Sequence, residues 1–289
     1  MIQNYYLGGP VWANKDWIGH VFPSRTNPSH LLYEYAKLFN TVEGSTTFYH
    51  QPTPHSIVRW YEDTPDHFRF SFKFPRQITH DNHLRNSQRD TTVFLRTIEQ
   101  LLPKIGNLFL QLPPTFDRHG LATLKNYLLT LPNDFVYAVE VRHLDYYHDS
   151  DTCHRLNDLL QELGINRALF DTSELHQIKS NDPDILTAQR KKPTMPEYFV
   201  ATAQQPFLRY VGHKTVEPNR QRLQLIAQKV AEWINKGYRP FVYFHTPNDL
   251  EALHLARFFH HILQTHTTTT VGTIPPFASD QQETPTLFG

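Results

Sequence analysis

Cysteine is nearly absent from this chain: Cys153 is the one cysteine among 289 residues. A single cysteine excludes an internal disulfide, and it also excludes a zinc site built from several cysteines of one chain. Neither sign of charge is in excess, because lysine plus arginine and aspartate plus glutamate each number 28. The composition therefore does not indicate a nucleic-acid-binding surface, and any contact with nucleic acid needs a local basic patch.

Long apolar runs and the common phosphate-binding loops are also missing. No stretch approaches the ~18 consecutive apolar residues of a membrane span, and Met1–Tyr6 lacks the basic and apolar regions of a signal peptide. We therefore expect a cytoplasmic protein with no membrane partner. The chain has no G-x-G-x-x-G turn, no Walker loop and no G-x-S-x-G elbow, so neither dinucleotide binding nor P-loop chemistry is predicted.

The chain does have eight short β-like runs that alternate with helical patterns. Apolar residues three and four positions apart mark the helices, and Gly164 and Gly237 end two of them. Strict alternation of strand and helix favours a parallel sheet. Eight repeats in a chain of this length suit a closed barrel, because a (β/α)8 unit takes ~250 residues. The predicted fold class is α/β, a (β/α)8 TIM-type barrel that forms a single domain over residues 1–265.

Two segments fall outside this alternation. Residues 173–205 follow the sixth strand, are long and polar, and have helical character near 185–190, so we expect a lid over the barrel mouth. Within it, Lys191 and Lys192 offer a phosphate contact. Residues 266–289 begin with a threonine run and continue with proline and glutamine, which predicts an extended C-terminal tail.

Most of the strands end in a polar or charged residue. Successive side chains of a strand point to opposite faces, so the phenylalanines at 68, 70, 72 and 74 pack against helices and Lys73 points into the barrel. The same reasoning predicts an inward-facing set at the C-terminal ends of the strands: Glu43, Lys73, Gln111, Glu140, Arg142, Asp171, Arg209 and, on weaker alternation, His245. Because barrel active sites lie at this face, the set predicts a charged pocket.

Several of these runs resemble the motifs of one known family. The runs that carry the resemblance are Gly8–Trp12, Thr41–Tyr49, Phe70–Pro75 with Ile78–His80, Glu140–His143 and Phe244–Pro247. Together they are similar to the YecE-like proteins, a bacterial family named as a domain of unknown function. The resemblance implies a (β/α)8 barrel and does not imply a reaction.

Four residues are catalytic candidates. Glu43 and Glu140 come from non-adjacent strands, so their carboxylates can face each other and divide the roles of general acid and general base. His143 and His245 follow strand ends and are candidate proton shuttles. A structural explanation is open for each histidine, because a lone histidine often serves only as a hydrogen-bond donor.

Seven residues are candidates for substrate binding. Lys73, Arg142 and Arg209 can hold an anion, and Gln111 and Asp171 add polar contacts. Trp12 and Tyr49 lie at strand-to-helix loops, where aromatic rings stack on sugars or bases.

These residues predict metal-independent acid/base chemistry, such as hydrolysis or isomerisation, on a small anionic or sugar-like substrate, with no cofactor. Three alternatives stay open. One is a divalent metal site, for which the acids and histidines have suitable ligand atoms. Another is a non-catalytic protein that binds nucleic acid or a protein partner through aromatic residues or the tail. The third is an ion network whose charges only satisfy one another.

Overall fold

Eight parallel strands form one sheet that curls almost into a closed barrel. The structure is a computed structural model that describes residues 1–148 and 150–282. The strands are β1 (Tyr6–Gly8), β2 (Thr41–Gly44), β3 (Arg69–Lys73), β4 (Ile105–Gln111), β5 (Tyr137–Glu140), β6 (Asn166–Asp171), β7 (Phe207–Val211) and β8 (Phe241–His245). Their order is β1-β8-β7-β6-β5-β4-β3-β2. The predicted single-domain (β/α)8 barrel is confirmed.

Helices follow the strands and cover the outside of the sheet. They are α1 (Leu31–Leu38), α2 (Pro54–Glu62), α3 (Gln88–Ile98), α4 (Leu121–Leu128), α5 (Asp151–Glu162), α6 (Ser173–Gln177), α7 (Pro183–Lys191), α8 (Arg220–Asn235), α9 (Ala252–His266) and α10 (Ala278–Gln282). In the part of the chain that the structure describes, no helix is long and apolar enough to cross a bilayer.

The seam between β1 and β2 is bridged by side chains as well as backbone. The Glu43 N–H donates to the Gly9 carbonyl at 3.1 Å. Tyr35 Oη accepts from the Gly9 N–H and donates to the Thr41 carbonyl, at 2.7 and 2.8 Å. A Cβ on Gly8 would lie 2.0 Å from the Thr41 carbonyl oxygen, so this close approach requires glycine.

The outer face of β3 is aromatic, as its alternation predicts. The phenylalanines at 68, 70, 72 and 74 are fully buried between the sheet and its helices. Trp60 of α2 stacks on Phe72 with 5.6 Å between ring centroids, and Phe94 of α3 lies 5.2 Å from Phe74. Packing of these rings holds α2 and α3 against the sheet and leaves Lys73 on the inner face.

The inside of the barrel changes character along its axis. Its lower part is an apolar cluster of Tyr6, Phe109, Ala138, Ala168, Phe207, Phe241 and Tyr243. Above it, at the C-terminal ends of the strands, the inward side chains are charged. The apolar layer excludes water from below, which strengthens electrostatic interactions in the layer above.

The segment 173–205 after β6 contains α6 and α7. The Asp182 carboxylate caps α7 by accepting from the Asp184 N–H at 2.9 Å. Lys214, from the loop after β7, contacts Asp182 and Asp184 at 2.7 and 3.0 Å. Asn248, from the loop after β8, donates to Asp184 at 3.0 Å. The start of α7 is therefore attached to two other loops of the C-terminal face.

The segment after α9 runs back along the barrel. Residues 267–277 contain no helix or strand, and the Gln3 N–H donates to the Val271 carbonyl at 3.0 Å. Val271 and Phe277 are buried. The tail was predicted over 266–289, and its residues 283–289 lie outside the described residues.

Candidate functional site

A buried arginine joins two glutamates at the top of the barrel. Arg209 of β7 donates to both oxygens of Glu43 of β2, from Nε at 2.7 Å and from Nη2 at 2.8 Å. Its Nη1 donates to Glu140 Oε2 of β5 at 2.5 Å. Glu43 is 1% exposed and Glu140 is fully buried. One cation thus bridges two carboxylates that come from non-adjacent strands.

Arg142 extends this network toward solvent. Its Nε donates to Glu140 Oε1 at 2.6 Å, and its Nη2 donates to the Gln111 side-chain oxygen at 2.8 Å. The guanidinium lies over the Phe170 ring, 4.5 Å from the centroid. Arg142 and Gln111 therefore occupy the inward positions that the strand pattern predicts.

Glu43 has two further partners. His245 of β8 contacts Glu43 Oε2 through Nε2 at 3.1 Å, and Ser45 donates to Glu43 Oε1 at 2.7 Å. The predicted inward position of His245 is therefore the one observed. With Arg209, these contacts give Glu43 a full set of donors.

Both carboxylates are held in the charged form. Burial by itself raises the pKa of Glu43, but Arg209 and His245 hold that pKa well below its usual range. Burial raises the pKa of Glu140 too, and Arg209 and Arg142 together lower it overall. A carboxylate in this state is a poor general acid, because it does not bind a proton at neutral pH.

Lys73 differs from the other charged residues of the network. Its Nζ lies over the Phe48 ring, 3.6 Å from the centroid, and has no hydrogen-bond or ion-pair partner within the described chain. The residue is 8% exposed. Burial, and then the positive charges of Arg209 and Arg142, lower the pKa of Lys73 to about 7. Lys73 is therefore the site residue best able to gain and lose a proton near neutral pH.

The segment 173–205 brings a second lysine to the same region. Lys192 follows α7 and is half-buried, whereas Lys191 is exposed. Burial lowers the pKa of Lys192, and the charges of Asp249, Arg209 and Glu43 also act on it. Of the two lysines considered as phosphate contacts, Lys192 is the one placed beside the network.

Two residues of the site were not identified from the sequence. The His80 ring packs against Phe48 with 5.0 Å between centroids, and its Nδ1 contacts Thr79 Oγ1 at 2.9 Å. Burial and the charge of Lys73 lower the pKa of His80 to about 4. Phe170 lies under Arg142 and also 4.9 Å from the Arg209 guanidinium. The one feature of the sequence that indicates a site role for His80 is its position just after the third strand.

Asp171 does not face the barrel interior, so its predicted inward position is wrong. It is on the outer face of β6, where Arg222 Nε of α8 donates to its Oδ2 at 2.7 Å. Phe170, the preceding residue, takes the inward position. Asp171 is buried, at 7% exposure, but the sheet separates it from the network. The geometry therefore gives no support to its predicted contact with substrate.

Trp12, Tyr49 and His143 are not joined to the network by hydrogen bonds. Trp12 packs edge-on against Trp60, 5.2 Å between centroids, on the outer side of β3. Tyr49 is 70% exposed and touches the site only through its neighbour Phe48. His143 accepts from the Asp145 N–H at 3.2 Å and caps a 3-10 turn. For His143 the geometry therefore favours a structural role, in hydrogen bonding the backbone, over the role of a proton shuttle.

The carboxylate oxygens of the network, which are the atoms that could bind a metal ion, contact positively charged side chains. Within residues 1–148 and 150–282, no group of three or more histidine, cysteine, aspartate or glutamate side chains is arranged to hold a metal ion. The carboxylates of Glu43 and Glu140 face Arg209 instead. Both carboxylates are therefore paired with guanidinium groups.

The fold and this network define a class of protein: a (β/α)8 barrel with a buried network of paired charges at the C-terminal ends of its strands. The chain belongs to the DUF72 family, described as a protein family of unknown function, whose model matches residues 6–282. It is 38% identical over 247 residues to the UPF0759 protein YecE of Escherichia coli strain K12, which covers 86% of this chain and 88% of that protein. The YecE protein of E. coli O157:H7 matches with the same identity and coverage.

Solved structures share the fold at low identity. A DUF72 family protein from Enterococcus faecalis V583 superposes with a TM-score of 0.70 at 16% identity, over 94% of this chain and 98% of that one. A DUF72 family protein from Thermotoga maritima MSB8 gives a TM-score of 0.69 at 22% identity, over 90% and 99%. The expected YecE-like resemblance is confirmed, and these relatives carry no assigned reaction in their names.

Proposed function

We propose that the network binds a small anionic molecule and that Lys73 exchanges a proton with it, in a metal-independent hydrolysis or isomerisation. The observation that carries this proposal is the Lys73 ammonium, which is buried beside two guanidinium groups and has no carboxylate of its own. An unpaired buried cation is costly, and a bound anion offsets that cost. The proposal keeps the predicted chemistry but changes its main proton carrier.

Glu43 and Glu140 act in this proposal by positioning. Their contacts hold Arg209 and Arg142 in place, and their lowered pKa values leave them charged. Arg142 Nη1 has no partner in the described chain, so it is available to an anion together with Lys73 and Lys192. A guanidinium with an unpaired N–H group suits a carboxylate or phosphate oxygen.

Ligand-induced stabilisation tests the binding step. We expect phosphate, malonate or pyruvate to raise the melting temperature of the wild type, whereas uncharged glucose leaves it unchanged. Lys73→Met should lose this response, and the matched variant Lys37→Met should keep it, because Lys37 is an exposed surface residue paired with Glu34. A wild type that responds to glucose and to no anion contradicts the proposed substrate class.

Turnover tests the chemical step. In a screen of small anionic metabolites, a substrate consumed by the wild type should not be consumed by Lys73→Met at matched folding, as judged by circular dichroism. If anions bind but no substrate is consumed, or if Lys73→Met retains full turnover, the acid/base proposal fails. The first of these results favours the binding protein considered as the alternative.

A further inference from the structure

We propose that the Lys73 amine is a nucleophile that condenses with the carbonyl carbon of a small 2-oxo acid or anionic aldehyde. This inference rests on the proposed function for the anion contacts. It adds a covalent step and names the substrate class, a carbonyl compound with a carboxylate or phosphate group. Lysine amines that react in this way lie in apolar surroundings or beside other cations, which favour the neutral amine.

The surroundings of Lys73 meet both conditions. Lys73 is 8% exposed, with its Nζ 3.6 Å from the Phe48 ring centroid, and burial followed by the guanidinium groups of Arg209 and Arg142 lowers its pKa. Lys73 is the last residue of β3 and faces inward, so its side chain lies at the C-terminal end of the barrel. With a pKa of about 7, a large fraction of this amine is neutral at physiological pH.

Other lysines of the chain are engaged differently. Lys104 is also buried, and burial lowers its pKa, but its Nζ is engaged because it donates to the carbonyls of Tyr61 and Thr64 at 2.6 and 2.5 Å. Lys37 and Lys229 pair with glutamates on exposed helix faces. We therefore expect a carbonyl compound to react with Lys73 much more than with these other lysines.

The substrate carboxylate has a place to bind. Arg142 Nη1 has no partner in the described chain, and the charges of Arg209 and Arg142 act on Lys192. An anionic group held there brings the adjacent carbonyl to the side of the site where Lys73 lies. A bound carbonyl beside an oriented amine reacts faster than the same pair in solution, because binding has already paid the entropy of bringing the two groups together.

The step balances without an oxidant or a metal. The neutral amine attacks the carbonyl carbon, the new C–N bond forms, and the carbonyl π pair moves to oxygen. The nitrogen loses a proton to solvent and the oxygen gains one from solvent. The C–O bond then breaks, the hydroxyl takes back from solvent the proton that the Lys73 ammonium released when it became neutral, water leaves, and a protonated imine remains on Lys73.

Reductive trapping tests this inference. The wild type is incubated with pyruvate and sodium cyanoborohydride, digested, and mapped by mass spectrometry. We expect the reduced pyruvate adduct on the Lys73 peptide to exceed the adduct on the Lys37 and Lys229 peptides at least tenfold. An adduct on Lys73 no greater than on those exposed lysines overturns the inference.

The variants Lys73→Arg and Lys104→Arg complete the test. Lys73→Arg keeps the positive charge but has no nucleophilic amine, so it should lose the adduct and still be stabilised by pyruvate. Lys104→Arg should keep the adduct. If pyruvate stabilises the wild type and no adduct forms on Lys73, the covalent step fails and the proposed anion binding stands. If pyruvate neither stabilises nor labels the protein, both fail.

Discussion

Two buried arginines on neighbouring strands have opposite surroundings. Arg209, inside the barrel on β7, contacts two carboxylates, Glu43 and Glu140. Arg167, on the outer face of β6, is 1% exposed and has no carboxylate partner in the described part of the chain. Its Nη1 donates to Asn157 Oδ1 at 2.7 Å and its Nη2 to the Tyr146 carbonyl at 2.5 Å.

Aromatic rings take the place of carboxylates around Arg167. The Tyr147 and Tyr198 rings lie 5.0 and 4.4 Å from its guanidinium carbon, and its Nε is buried without a partner. Such a site secures α5 and the later part of the segment 173–205 by packing. The network around Arg209 instead concentrates full charges in one buried layer, which is costly for stability unless the charges are paired and hydrogen-bonded. The two arginines therefore differ in what their removal leaves behind: buried carboxylates at Arg209, and neutral polar groups at Arg167.

Removing Arg209 should give the largest loss of stability. In Arg209→Met, Glu43 and Glu140 remain buried without their shared cation, and breaking a buried pair in this way costs about 3–5 kcal/mol. Denaturation by urea at pH 7 measures the loss. The triple variant that adds Glu43→Gln and Glu140→Gln should recover much of it, because neutral amides need no counter-charge.

The pH dependence of Arg209→Met should have the opposite sign to that of the wild type. In the wild type the pKa of Glu43 is lowered by folding, so its contribution is present above the unfolded pKa of about 4.3 and is lost as the pH falls through the folded pKa. Without Arg209, burial raises the pKa of Glu43, and stability should fall as the pH rises from 5 to 8. A variant that is equally stable at both pH values contradicts the role assigned to Arg209.

Removing Arg167 should cost less. Arg167→Met leaves the Asn157 side chain and the Tyr146 carbonyl without a donor, and a buried unsatisfied acceptor costs about 1–3 kcal/mol. No carboxylate is stranded, so the loss should not change between pH 5 and 8. Anion-induced stabilisation should persist, because the site is on the other face of the sheet. A loss as large and as pH-dependent as that of Arg209→Met removes the distinction between the two arginines.

Strand alternation predicted much of the site and failed where two faces of a strand look alike. It placed Glu43, Lys73, Glu140 and Arg209 inward, because their strands carry apolar residues on the opposite face. In β6 polar and apolar residues occur on both faces, and Asp171 was assigned to the wrong one. Its outward position depends on Arg222 of α8, a partner distant in sequence that the local pattern does not show.

His80 was the other gap in the prediction. It lies just after β3 in the short π-helix Gln77–Asp81, and no apolar periodicity in that segment fixes where its side chain points. The order of strands and helices was readable because apolar periodicity repeats over many residues. The pairing of each acid with a base was not readable, since it depends on distances across the barrel.

Replacing Lys73 should separate stability from binding. Lys73 has a lowered pKa when folded, so the unfolded chain binds more protons between pH 7 and 10, and stability rises with pH over that range. Lys73→Met removes the cost of burying this cation and packs against Phe48, so we expect a gain of roughly 1–2 kcal/mol near pH 6 together with loss of anion binding. A variant that is destabilised at pH 6 shows that Lys73 supports the fold, as Arg167 does.

Removing the ionic contacts at the start of α7 should have the smallest effect on global stability, because these contacts are exposed to solvent. Lys214→Met removes the contacts to Asp182 and Asp184 at the start of α7, and exposed ion pairs of this kind are weak. We expect an unchanged denaturation midpoint but faster hydrogen exchange of the amides of residues 185–192, measured by mass spectrometry. The matched variant Lys229→Met, which breaks an exposed pair on α8, should leave these amides unaffected. Unchanged exchange in Lys214→Met means that packing of the buried Ile185 and Ala188, and not the ionic contacts, holds α7 in place.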